Sequence, residues 1–391
     1  MTRKEFLKLS AILGINLPLV SSLSSAKTSD YHNKKKTAFS GSVLILGAGA
    51  AGLSAAYLLH QQGIDVQVLE ASTVYGGRMK RSIEFADFPI PLGAEWLHTR
   101  RSILTKIVNN KSRTVETITK PYNSDLAFAL IDGKKASLKE LGFSIDQKFI
   151  KATWFDFYED YIVPSIIDNI QFDSRVYGVD YSGNEVKVLT EHRTYTADKV
   201  IVTIPVKLLQ NEAIHFTPAL PTEKAKAINE VHVWDGCKAF IEFSEKFYPA
   251  AIGFNSIPIH QGHKLFFDAS YGQHTQKNIL GVFAVGAVSK PYINKKGIEL
   301  KDHLLRELDE VYDGKPSKTY IKHIFQNWTA DPYAGGAYVH YLEKQKNIRA
   351  LGKSIEDKLY FAGDAYTDGK EWSSVHAAAN AARRAVKEIL S

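Results

Sequence analysis

Three glycines and one acid carry the first legible chemistry in this chain. Gly47, Gly49 and Gly52 fall within Gly47-Ala48-Gly49-Ala50-Ala51-Gly52, and Glu70 lies shortly downstream. Glycine at the first position permits a tight turn, and at the second it lets the backbone approach a pyrophosphate. At the third it lets a helix press against a strand. A carboxylate at the end of the following strand accepts hydrogen bonds from a ribose. This is the chemistry of holding a dinucleotide, and it works only if specific elements position it. Val43-Leu44-Ile45-Leu46 has the short apolar character of a strand buried in a parallel sheet. Leu53 to Gln62 reads as a helix ended by Gly63, and Asp65 to Leu69 as a second strand with Glu70 at its carboxyl end. The helix N-terminus then faces the phosphate charge. The pattern alone does not separate NAD from FAD.

Later segments narrow the choice. Gly76-Gly77-Arg78 again permits close backbone approach, with a guanidinium to pair with phosphate. Near the other end, Leu359-Tyr360-Phe361-Ala362-Gly363-Asp364-Ala365 reads as a strand ending in glycine and then an acid. Trp372-Ser373-Ser374-Val375-His376 opens a helix running to about Leu390, with Ser373 or Ser374 as N-cap. Val176, the strand Glu185–Leu189 and the run from Ala197 to Pro205 lie between. Together these segments, from residue 42 to residue 390, resemble the flavin-containing amine oxidase superfamily, which includes monoamine and polyamine oxidases. The resemblance implies FAD, contacted by Gly47, Gly49, Ala51, Gly52, Glu70, Gly77, Arg78, Val176, Trp328, Gly363, Asp364 and Val375. Asp364 then faces the ribityl chain. The positive end of the last helix faces the anionic N1–C2 edge of reduced flavin near Val375.

The same resemblance supplies candidates for catalysis. Pro91 to His98 is similar to a polyamine oxidase segment in which a histidine sits beside the substrate amine, and His98 falls at that position. Glu95 has two open readings, pairing an ammonium or bonding to backbone groups. In Gly236 to Phe243, Lys238 matches a lysine that holds a water against flavin N5, where a cation helps oxygen accept electrons. It lies within an apolar alternation, and Cys237 alternates to the opposite face, so Cys237 receives no catalytic role. Trp328 to Tyr338 resembles the flavin-facing loop. Alanine stands at 337 where monoamine oxidases carry the cysteine bonded to flavin, so FAD is expected to be non-covalent. Tyr338 matches one wall of an aromatic cage. The opposite wall, usually tyrosine, aligns with Ser374, and Trp372 is its candidate replacement. Aromatic faces tolerate an amine's charge and exclude water. The implied reaction passes hydride from the amine's α-carbon to N5, followed by imine hydrolysis and reoxidation by O2 to H2O2. The partners are therefore a small-molecule amine and O2. An L-amino-acid oxidase would carry arginine near Trp96. Desaturases and porphyrinogen oxidases share the FAD motifs, and the Ser374 departure keeps a non-catalytic FAD-binding scaffold open.

The composition frames these readings. With 391 residues, 45% of them hydrophobic, the chain is long enough for two domains. The fold class is α/β: a three-layer Rossmann-like FAD domain from about 41–98, 170–206 and 350–391, interleaved with an α+β substrate domain from 99–169 and 207–349. The substrate domain is expected to carry strands near Lys238–Phe243, Lys264–Asp268 and Ile279–Val285 and a helix near Lys301–Val311. The stretch from Arg100 to Phe172 is short for the resembled family, which implies a reduced helical lid and an open entrance. One cysteine excludes an intramolecular disulfide and a cysteine-based metal cluster. Of the +7 net charge, residues 1–40 hold +5, seven basic side chains against two acidic, leaving +2 for the body. That argues against a nucleic-acid-binding face. Arg3, Lys4 and Lys8 precede an apolar stretch from Leu9 to Leu23 and the small residues Ser24-Ser25-Ala26, the pattern of an export signal at 1–26 followed by a linker at 27–40. Thr2 to Lys8 resembles a twin-arginine signal with lysine for one arginine. The apolar stretch is too short to span a membrane. The expected location is periplasmic or extracellular, or cytoplasmic if the leader is not used. N-terminal sequencing of protein from its native host should therefore find a start near Lys27 in an extracytoplasmic fraction; an intact Met1 in the cytosol overturns this reading.

Overall fold

The computed structural model describes residues 39–131, 134–139, 146–254 and 259–391. The expected export signal, and the linker as far as residue 38, lie outside the described residues. No helix among the described residues is long and apolar enough to cross a membrane.

The nucleotide unit is built on five parallel strands in the spatial order Ile170–Gln171, Asp65–Leu69, Ser42–Leu46, Lys199–Val202, Leu359–Phe361. Strand alternation divides their side chains between two cores. Val43, Ile45 and Ile201 face a helical layer made by Ala50–Gln61 and the C-terminal helix Val375–Leu390. Leu44, Leu46, Val200 and Val202 face a four-stranded sheet carrying Val179, Val186, Val188 and Ala197. A sheet covered on both faces requires near-continuous apolar strands, which these sequences supply. The result is the expected three-layer Rossmann-like unit.

The second unit centres on seven strands in the order Tyr320–Asn327, Gly236–Phe243, Asn278–Gly286, Gly262–Asp268, Ala251–Phe254, Ala127–Ile131, Lys134–Ser137. Gly236–Phe243 is buried along its whole length. Cys237, Ala239 and Ile241 point toward the helix Gly297–Tyr312, whose Leu300, Leu304 and Leu308 form its inner stripe. Each such leucine stabilises the packing by roughly 1.5–3 kcal/mol. Phe240 points to the other face, among Trp96, Leu265 and Phe267, and strand alternation puts Lys238 on that side with it. The 99–169 segment serves both units. Its helices Ser102–Val108 and Trp154–Tyr161 pack into the core of the nucleotide unit, while Ala127–Ile131 joins the large sheet. A small sheet pairs Gln147–Phe149 with Trp96–Leu97, with Lys148 directly opposite Trp96.

The glycine requirements can be separated physically. A Cβ at Gly52 would lie 1.9 Å from the Gly47 carbonyl oxygen, whereas one at Gly49 meets nothing within 4 Å. Gly52→Ala should therefore lose about 1–3 kcal/mol of stability through overpacking, measurable by denaturant unfolding of flavin-free protein. Gly49→Ala should leave that stability nearly unchanged while lowering flavin occupancy. Equal stability losses in the two variants would refute the assignment.

Candidate active site

One cavity of about 1360 Å³ runs from the carboxyl ends of the parallel strands to the large sheet. That exceeds the space a single small ligand needs and leaves room for a dinucleotide with a second molecule beside it. Leu46, Glu70, Thr203 and Gly363 mark the strand ends, where doubly wound sheets bind ligands. Lys238, His263, Phe283 and Val285 form the far wall.

The nucleotide half fits a dinucleotide cofactor residue by residue. Gly47, with φ +104°, turns the chain out of the first strand, and Gly49 begins a helix whose first turn no described side chain caps. Its backbone N–H groups remain available for an anion. Gly47, Gly49, Ala51 and Gly77 line the cavity, while Gly52 presses behind them on the Gly47 carbonyl. Gly76 and Gly77 both have positive φ, and the Gly76 N–H donates to the Ala48 carbonyl at 2.8 Å, which clamps the two glycine loops together. Glu70 accepts from the Ala48 and Ser72 amides at 2.6 and 2.9 Å. Burial raises its pKa, and those amide bonds oppose the rise. Each oxygen keeps a further lone pair for a hydroxyl. Val176 stands at the cavity's edge at the start of its strand, and Trp328 is held by its indole N–H donating to the Leu92 carbonyl at 2.9 Å. Arg78 pairs with Asp364 at 2.6 Å and also donates to the Ala337 carbonyl at 2.6 Å.

The C-terminal helix also opens on the cavity. Ser374 is its N-cap, its hydroxyl accepting from the Ala377 N–H, so an aromatic ring at that position is replaced by a capping oxygen. Ser373 has φ +61°, unusual for a residue with a side chain. Its N–H donates to the Asp364 carbonyl and its hydroxyl to the Val339 carbonyl, which holds it there. Val375 and Trp372 line the cavity, and the Trp372 indole donates to the His340 carbonyl at 3.1 Å.

The opposite end gathers the remaining candidates. Tyr338 lines the wall with its hydroxyl 3.3 Å from His263 Nε2 and its ring edge-on to Trp234. Trp96, Phe283 and Tyr341 extend the aromatic lining. His263 is buried, and burial pushes its pKa down to about 3, so it is a neutral ring. His98 Nδ1 lies 2.6 Å from Asp146. Burial works against its charged form, but the Asp146 carboxylate outweighs burial and the pKa is raised. Lys238 donates to Glu95 Oε2 at 2.8 Å and to the Pro91 carbonyl at 3.2 Å. Lys148 donates to the other Glu95 oxygen at 2.6 Å. Of the two readings open for Glu95, ammonium pairing is the one observed, and it is double. Burial raises the Glu95 pKa, and the two ammonium groups more than reverse it, so Glu95 is ionised.

All four catalytic candidates and the cofactor candidates other than Gly52 therefore share one cavity. Sequence reasoning missed Lys148, Asp146, His263, Tyr341 and the backbone of Ser373. Lys148 and Asp146 sit in a short segment without a motif and reach the site only through strand pairing with Trp96–Leu97. Among the described residues no group of His, Cys, Asp and Glu could hold a metal ion.

A three-layer dinucleotide unit interleaved with a second sheet, with both facing one cavity, defines a two-domain nucleotide-dependent protein. Residues 165–390 match the family described as flavin containing amine oxidoreductase, and residues 45–109 match the NAD(P)-binding Rossmann-like domain. The first match covers more than half of the chain, which belongs to the flavin-containing amine oxidoreductase family. Its cofactor is FAD. The chain is 26% identical to lysine-specific histone demethylase 2 of Homo sapiens over 86% of its length and spans 51% of that protein. It is 22% identical to polyamine oxidase 2 of Arabidopsis thaliana, covering 91% of each. The cyclohexylamine oxidase of Brevibacterium oxydans IH-35A superposes with a TM-score of 0.72 at 15% identity, over 90% of this chain and 99% of that one. A redesigned putrescine oxidase gives 0.72 at 14%, over 89% and 98%.

Ala337 lines the cavity with its carbonyl engaged by Arg78 and with no thiol to offer. Acid-denatured and filtered protein should release its flavin as FAD. Flavin retained on the polypeptide would show a covalent bond elsewhere.

Proposed function

We propose that this protein is an FAD-dependent oxidase of amines, primary amines or polyamines, using O2 as acceptor and releasing H2O2. The observation that carries this reading is the buried Lys238 on the wall of an aromatic pocket continuous with the nucleotide loops. FAD, held non-covalently by the glycine loops, Glu70, Arg78 and Asp364, supplies the two-electron chemistry when bound. The protein's own groups bind, orient and set charge. Tyr338, Trp96 and Phe283 exclude water and offer π-faces to a nitrogen substrate. Lys238, which shares Glu95 with a second lysine, disfavours an ammonium beside it and favours the neutral amine. The neutral form is the one whose lone pair can assist loss of hydride from carbon. His98 lines the cavity and is fixed through Nδ1 by Asp146, which leaves its other nitrogen for a substrate.

The pocket favours an amine over an amino acid. Arg78 is bound to Asp364 and Arg81 is held by Asp156 and Glu159, and the third cavity-lining arginine, Arg175, adjoins Val176, a residue assigned to the cofactor. A peroxide-coupled screen of amines against L-amino acids on the purified yellow protein tests this directly. Peroxide with amino acids alone, or with no nitrogen compound, would replace the proposal.

Lys238→Met keeps the stem and removes the cation. It should slow reoxidation of the reduced enzyme by oxygen about 10²-fold, roughly 2.7 kcal/mol of lost transition-state stabilisation. FAD content and anaerobic reduction by an amine should change much less. Stopped-flow mixing of reduced variant with oxygen measures the step, and an unchanged rate with FAD bound would make Lys238 purely structural.

A further inference from the structure

Glu95 is shared. One oxygen accepts from Lys238 and the other from Lys148, and all three side chains are buried, with exposures of 0%, 2% and 3% for Glu95, Lys238 and Lys148. One carboxylate against two ammonium groups leaves one surplus positive charge. The surroundings do not cancel it. Lys238 Nζ lies 5.2 to 5.6 Å from the Trp96, Phe240 and Phe267 ring centres, which favour a cation but carry no formal charge. The other titratable groups facing this cluster are His98, paired with Asp146, Tyr122, and across the sheet His263, which is neutral; beyond His98 lies Glu371, which is bonded to His376. Asp268 is engaged by Lys246.

Lys148 does not line the cavity, whereas Lys238 does. With Lys148 absent, Lys238 and Glu95 would form a neutral pair, and a neutral pair projects little field into the cavity. We infer that Lys148 is a positioning residue: by taking one oxygen of Glu95, it leaves Lys238 with an uncompensated positive charge directed at the flavin side of the cavity. The inference rests on the flavoenzyme reading but not on which substrate is oxidised. It gives the second lysine a role in setting the electron affinity of the bound cofactor. Burial depresses the Lys238 pKa, Glu95 lifts it and Lys148 depresses it further, so the Lys238 ammonium releases its proton more readily than a free lysine as pH rises.

The test is the midpoint potential of bound FAD, measured anaerobically against a reference dye across pH. At the acid end of the range, where Lys238 carries its proton, Lys148→Met should lower the equilibrium constant for flavin reduction about tenfold, or about 30 mV. Lys148→Arg keeps the charge and should restore it. The double variant Glu95→Gln/Lys148→Met leaves Lys238 as the sole charge and should also return the potential to that of the parent. A residue with only a packing role cannot give that recovery. The pH at which the potential changes slope should rise in Lys148→Met, because Lys238 then has Glu95 to itself and no like charge beside it. If Lys148→Met fails to hold FAD, Lys148→Gln keeps a hydrogen-bond donor without the charge and carries the same prediction. An unchanged potential in the single variant, or a double variant no closer to the parent, overturns the inference. A correct potential cycle in a protein that oxidises no amine would overturn the substrate reading and leave this one standing.

Discussion

The clasp made by Arg78 is the interaction on which the interleaved architecture turns. Its guanidinium donates to both oxygens of Asp364 and to the Ala337 carbonyl, so it joins three stretches of chain more than 250 residues apart at their extremes. A planar donor with fixed geometry suits this task because a carboxylate and a carbonyl can be met at once. The pair is only partly buried, with side-chain exposures of 29% and 15%, so its value lies more in orientation than in net stabilisation. It aligns the second glycine loop, the Trp328–Tyr338 loop and the start of the C-terminal segment on one cavity. Gly93 belongs to the same junction. A Cβ there would strike the Arg78 carbonyl at 1.8 Å, so the chain leading to Glu95 passes directly against the arginine's own backbone.

That passage has an electrostatic consequence. Glu95 is delivered into a fully buried position, where a lone carboxylate would be strongly disfavoured. Two lysines from different sheets answer it, Lys238 from the large sheet and Lys148 from the small one. Buried ion pairs seldom stabilise a fold relative to apolar packing, because desolvation offsets most of the attraction. A cluster with an unbalanced charge is less favourable still. Its presence beside the cavity is therefore better explained by what the charge does than by what it holds together.

Much of the fold was legible because its determinants are local. The first two strands and the fingerprint helix are set by apolar runs, glycine and one acid within a single stretch. The alternation around Lys238 placed Cys237 on the opposite face, and the helix cap at Ser374 follows from a side-chain oxygen before a run of helix formers. The site was legible where a motif carried it. It was opaque where tertiary register made the contact: Lys148 reaches Glu95 because it lies opposite Trp96 in an antiparallel pair, and nothing in Gln147-Lys148-Phe149 announces that partner. His98 was visible, but Asp146, which fixes its ring, was not. Ser374 was recognisable both as a departure from an aromatic wall and, with Ser373, as a candidate cap, and the structure gives the cap to Ser374.

The cavity wall carries acids, among them Glu70, Asp364 and Glu371, as well as cationic groups. The uncapped start of the fingerprint helix, the start of the C-terminal helix and the surplus charge inferred at Lys238 present positive potential. At the nucleotide end this complements phosphate, which is negative before any reaction. At the far end the proposed substrate, a neutral amine, would bring no anion with it, and the surplus charge inferred at Lys238 would meet its counter-charge only when the electrons arrive. A field that is uncompensated in the resting state and compensated after electron uptake favours the reduced cofactor without tightening the grip on substrate. The strained Ser373 and the buried surplus charge are then two local costs at one site, each held by surrounding hydrogen bonds.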